Sequence, residues 1–130
     1  MELRLWRHAE NLPKSEIYEL HSFSYAILKK INSSGEIISA SCAGLIKVVI
    51  NEFPTMRLIR WVWGYKYLCD GIVSYTGGDA KKKIIEFEKA SCKSLKLHYK
   101  VDAPEPLKVT MDISAEVLSA YGVNLKNEEK

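Results

Sequence analysis

The segment Thr76-Gly77-Gly78-Asp79-Ala80-Lys81-Lys82-Lys83 places two glycines and three lysines where a strand hands over to the next element. Glycine amides can face an anion at a helix N-terminus, and lysines can neutralise a phosphate. The Gly-x-x-x-x-Gly-Lys-Ser/Thr spacing of a P-loop is absent, so the alternatives are a phosphate-backbone contact or a solvated turn. A second group interleaves Trp61, Trp63, Tyr65 and Tyr67 with Arg57, Arg60 and Lys66. Aromatic faces next to cations suit base stacking and phosphate binding, and they equally suit a core or a protein contact.

Other chemistry finds little footing. His8, His21 and His98 stand far apart with no His-x-Glu, His-Glu-x-x-His or Cys-His pairing, so neither a metal site nor a catalytic residue is expected. Cys42, Cys69 and Cys92 are odd in number and lack Cys-x-x-Cys spacing, which reads as reduced thiols. No bound cofactor is expected.

The 130 residues, 47% apolar and 27% charged, suit one domain with one core. The net charge of +3 is unevenly spread. Residues 57–100 carry ten Lys/Arg against four Asp/Glu, whereas residues 101–130 carry three against six. A basic face is therefore expected, with an anionic partner. No apolar run approaches the roughly 20 residues of a spanning helix, and no secretory leader is visible, so a cytoplasmic protein without membrane contact is expected.

These residues must be positioned by short elements. Residues 14–20 suit a short helix, and Ser22–Ile31 alternates as a half-buried strand. Apolar residues at three- and four-residue steps from Glu36 to Phe53 predict a helix stopped by Pro54. Met56–Lys66, rich in β-branched and aromatic residues, predicts the longest strand. Gly71–Thr76 predicts another strand, and Ala80–Cys92 a helix capped by Asp79. Ser94–Val101 follows as a strand and Leu107–Met111 as an edge strand. A last helix starts at Asp112 or Ser114 and ends at Tyr121 before Gly122. The order predicts an α+β domain over residues 1–123, a ferredoxin-like split βαβ: an antiparallel sheet with helices on one face, plus a C-terminal helix. Residues 124–130 are expected to fray.

The stretch from Tyr25 to Tyr99 resembles the small ferredoxin-like protein subunit of archaeal and eukaryotic ribonuclease P. The similar parts are Tyr25–Ile31, Glu36–Phe53, Arg57–Tyr65, Gly71-Ile72-Val73 and Lys81–Ala90. Ser74 stands where that family has an arginine, and its Ser-Gly-Thr signature is missing near the end. The resemblance implies a non-catalytic subunit that binds structured RNA for precursor-tRNA 5′ maturation beside a second small protein, with Mg²⁺ held by the RNA. The RNA contacts it implies are Arg57, Arg60, Lys66, Lys81, Lys82 and Lys83, joined by Lys96 and Lys100 on the expected basic face. Trp61, Trp63 and Tyr65 are the expected protein interface. The alternative is a ferredoxin-like interaction module or homodimer without nucleic acid.

Overall fold

Alternation of apolar and polar side chains, and not helical periodicity, governs nearly the whole chain. The computed structural model describes residues 1–9, 14–31, 37–64 and 66–122, with the backbone alone at 29–31, 37–42 and 120–122. Seven strands and one helix follow in order: β1 (Glu2–Arg7), β2 (Glu16–Glu19), β3 (Ser22–Ile31), β4 (Ile37–Ile50), α1 (Met56–Trp63), β5 (Cys69–Thr76), β6 (Lys82–Tyr99) and β7 (Leu107–Gly122). They form one antiparallel sheet in the order β2-β1-β5-β6-β7-β4-β3.

The sheet is rolled. Phe23 on β3 and Tyr75 on β5 have ring centroids 4.9 Å apart. Four strand spacings separate β3 from β5 in the order, about 19 Å in a flat sheet. Only curling brings the two rings together. The enclosed core takes Leu3, Leu5, Val73, Ile85, Phe87, Ile46, Val48, Ile50, Val109, Met111 and Ile113, drawn from alternate positions along the strands.

β6 and β7 are long because they serve both sides of this roll. The first half of β6, through Ala90, pairs with β5. Beyond it the ladder with β7 continues to Tyr99↔Leu107, while β4 joins β7 only from Val109 to Ala115. The corner lies where Lys89 adopts φ 52° and where register shifts fall near Ala90 and Lys93. Irregularities of this kind let a strand bend from one layer into the next. The result is a five-stranded half (β2, β1, β5 and the β6–β7 pair) and a four-stranded half (the β6–β7 pair, β4, β3).

The predicted ferredoxin-like α+β arrangement is overturned by this architecture, and the individual errors have physical causes. The helix expected over Glu36–Phe53 is β4: Ile46, Val48 and Ile50 point inward while Leu45 and Lys47 point out. Its β-branched residues follow period two, and the three- and four-residue steps were coincidental. The helix expected over Ala80–Cys92 is the start of β6. Asp79 accepts from the Lys81 amide at 3.1 Å and closes a tight turn with Gly77, a local alternative to capping a helix. The last predicted helix is the second half of β7. Leu107–Met111, predicted to lie at an edge, instead runs between β6 and β4. Residues 16–19, predicted helical, form β2.

Conversely, the strand expected over Met56–Lys66 is α1. Thr55 caps it, its hydroxyl accepting from the Leu58 amide, and Leu58 and Trp61, three residues apart, both enter the core. Tertiary burial decided against the β propensity of these aromatic residues. The strands expected at Ser22–Ile31 and Gly71–Thr76 are present, and the one from Ser94 belongs to β6 as far as Tyr99. The 124–130 tail lies outside the described residues. No helix among the described residues is long and apolar enough to cross a membrane.

Candidate functional site

The four-stranded half ends in two edges that no strand of the chain covers among the described residues. One is β3. The other is the second half of β6, from Ser91 to Tyr99, where β5 has stopped. A bare strand edge offers a row of unpaired amides and carbonyls to another strand.

Both edges also leave inward-pointing apolar side chains uncovered. Tyr25 and Ile27 lie opposite Ile46 and Gly44 on the core side of the sheet, yet remain 40% and 46% exposed. At the other edge Leu97 and Tyr99 lie opposite Val109 and Leu107, and remain 46% and 54% exposed. The core is thus unfinished at each side of the same four strands. Leu28, on the outward face of β3, is exposed as well.

The remaining edge strand, β2, is built differently. It has four residues, and a polar cluster ties it down. Tyr18 and Thr55 donate hydrogen bonds to Glu16, and the Arg57 Nε lies 3.3 Å from the same carboxylate. Partial burial raises the Glu16 pKa, but the hydrogen bonds from Tyr18, Thr55 and Arg57 outweigh it and hold the carboxyl below its usual range. Burial pushes the Tyr18 phenol up, and its bond to Glu16 adds to this. A short, charged edge resists strand addition.

The residues expected to contact RNA fall into separate places. Arg57 is largely buried, also donating to the Lys14 carbonyl at 2.8 Å. Arg60 is exposed on the outer side of α1, and Lys66 is exposed beyond it. Lys81, Lys82 and Lys83 flank the β5–β6 turn, with Lys83 3.3 Å from Asp79. Lys96 lies near the far end of β6 and Lys100 just past it. No single surface gathers them all.

Trp61, expected at a protein interface, is instead a core residue whose indole N–H donates to the Ala90 carbonyl at 2.8 Å. Trp63 is 87% exposed, and Tyr65 lies outside the described residues. His8 is held by Asp70 at 2.8 and 2.9 Å, and Asp70 also accepts from the Lys89 amide, so this pair braces the corner of β6. No group of three His, Cys, Asp or Glu side chains suited to a metal occurs among the described residues. Cys69 and Cys92 are buried; burial pushes their thiols up to about 12 and about 11. The uncovered edges were not anticipated from the sequence, although the unbroken apolar run Tyr25-Ala26-Ile27-Leu28 carried a signal of a strand exposing apolar groups on both faces.

Residues 2–128 match the family model of hemolysin coregulated protein Hcp (TssD). No curated protein matches the sequence. Among solved structures, Hcp1 from Flavobacterium johnsoniae has the same fold, with TM-score 0.63 and 20% identity over 94% of this chain and 96% of that one. A chain from the extended sheath-tube complex of the extracellular contractile injection system PVC gives TM-score 0.56 at 14% identity, covering 93% of this chain and 88% of that one. One from the anti-feeding prophage baseplate gives 0.57 at 8%, covering 94% and 92%.

These findings overturn the ribonuclease P resemblance, and with it the structured-RNA partner and the role in precursor-tRNA maturation. Self-association, held open at first as the alternative, is the partner class that fits. A match spanning nearly every residue, on a rolled sheet of the same architecture, leaves one assignment: the chain belongs to the Hcp (TssD) family.

Proposed function

We propose that the protein is a tube subunit of a secretion or contractile injection machine, with copies joining side by side into six-membered rings that stack. The observation that carries this reading is the pair of uncovered edges on one four-stranded layer. Strand β3 of one copy and the second half of β6 of the next are different surfaces, so their contact is head-to-tail and closes into a ring when the rotation allows. Each junction would extend the sheet and cover Tyr25, Ile27, Leu97 and Tyr99. Family membership, the sheath-tube and six-fold baseplate relatives, and the hexameric rings and tubes of Hcp proteins support it. On this reading the protein works in the assembled, exported tube.

Sedimentation velocity with negative-stain microscopy tests the reading. The wild-type protein is expected to form rings, and Ile27→Lys or Tyr99→Lys to give folded monomers. Ile17→Lys on the β2 edge should leave the rings intact. A wild-type protein that stays monomeric at tens of micromolar, or rings indifferent to both edge variants, would sink it.

A further inference from the structure

The outward face of the four-stranded half carries a charge pattern that strand pairing does not use. Register fixes which residues share it: Lys47 lies opposite Asp112 and Ser24, Lys96 opposite Thr110, and His98 opposite Lys108. Lys93, at the register shift of β6, is exposed beside them. Four lysines therefore share this face with Asp112, which already accepts from the Ser94 hydroxyl at 2.9 Å and sits 3.9 Å from Lys47, and with the exposed Glu116 at its margin, two residues beyond Ser114. Lys93, Lys96 and Lys108 form no ion pair among the described residues. Like charges gathered on one sheet face leave a positive potential that an anionic partner relieves.

A groove of about 340 Å³ runs through the same face, lined by Ser24, Ala26 and Leu45 with Lys47, Lys93 and Asp112 around them. Leu45 is half-exposed there, although its neighbour Ile46 is buried. A space of this size takes aliphatic side chains between flanking cations. Tyr25 borders the groove but its ring lies against the inward Phe23, and Tyr99 also belongs to the inward side, so among the described residues His98 is the one ring on this outward face and a nucleobase finds no aromatic platform at Leu45.

We infer that this face is a docking surface for an acidic polypeptide segment that interleaves carboxylates with aliphatic side chains, the former meeting Lys47, Lys96 and Lys108 and the latter entering the groove at Leu45. The inference stands on one chain's surface and does not require the ring. Repetition of the face in an assembly would multiply weak contacts.

The test uses the purified protein and a fluorescent peptide alternating Glu and Leu, followed by anisotropy across a salt series. Saturable binding is expected that weakens with salt and falls about tenfold or more in Lys47→Glu/Lys96→Glu/Lys108→Glu. The corresponding Lys→Arg variant should retain it, and Lys81→Glu/Lys82→Glu, which removes the same kind of charge elsewhere, should stay within about twofold. Leu45→Ser should weaken the Glu-Leu peptide and spare a Glu-Ser one. Circular dichroism verifies the fold of each variant. Absence of saturable binding at low salt, equal loss in the turn variant, or tighter binding of a single-stranded RNA of matched charge would overturn the inference. Sedimentation of the same samples separates the two proposals: rings without peptide binding defeat only this inference, and peptide binding without rings defeats only the assembly reading.

Discussion

Leu118 of β7 occupies the space that a side chain on Gly44 of β4 would need: a Cβ there would stand 2.1 Å from the leucine Cδ2 and 2.9 Å from its Cβ. The contact sits where β4 leaves β7, since their ladder ends at Gly44↔Ala115. Leu118 is buried, so it has little room to retreat. Gly44 therefore lets the second half of β7 cross close over β4 as the sheet rolls. Gly44→Val should destabilise the monomer by about 2 kcal/mol, within the usual cost of overpacking, seen as a lowered urea midpoint. Adding Leu118→Ala should recover part of that loss, and a double variant no more stable than Gly44→Val would contradict the packing argument.

Trp61 and Trp63 are two residues apart and should behave oppositely. Trp61→Phe leaves the buried Ala90 carbonyl without its donor and should cost about 1–3 kcal/mol in chemical unfolding. Trp63→Ala, on the exposed side of α1, should stay within about 0.5 kcal/mol. Equal effects would show that α1 does not present these faces.

The Glu16 carboxyl has a folded pKa below its ordinary value of 4.5, so the folded form favours the charged state. Its contribution to stability is complete above that ordinary value and is lost as the pH falls through the lower, folded one. Glu16→Gln should accordingly lose stability relative to wild type at pH 7, and the gap should narrow as the pH drops below about 4.5. Thermal melts at pH 7 and pH 3 measure it; a gap that widens in acid would reverse the sign and refute the assignment.

Cys69 and Cys92 should resist thiol reagents. With thiols pushed to about 12 and about 11 by burial, almost no thiolate exists at pH 8. In a Cys42→Ser background, the folded protein should react with a colorimetric disulfide reagent only at its opening rate, and in denaturant both thiols should titrate at once. Rapid reaction without denaturant would show that one of them reaches solvent.

How much of this was legible in the residues depended on which signal each segment carried. The alternation of Ser22–Ile31 and the compact β-branched stretch Gly71–Thr76 gave their strands directly. In β4, Leu45-Ile46-Lys47-Val48-Val49-Ile50 holds an alternating pattern, but apolar residues lie on both faces and mimic helical steps. α1 hid for the opposite reason: an eight-residue helix of β-branched and aromatic residues is stable only because Leu58 and Trp61 are buried by strands distant in sequence. The basic middle third was real as composition, yet rolling the sheet scattered Arg57, Lys81 and Lys96 and brought Lys47 from outside that third to Lys96 and Lys108. Charge counted along a chain does not fix charge on a face.

Strand β7, made after both of its neighbours, lies between β4 and β6. During synthesis β4 and β6 must therefore wait with open flanks until residues near 107–115 have cleared the ribosome. Until then the β3–β4 hairpin and the β5–β6 hairpin are two fragments with no ladder between them. The chain gains its four-stranded layer in a single late event, so a nascent or truncated form lacking β7 exposes unpaired strands to its neighbours and calls for shielding against premature self-pairing.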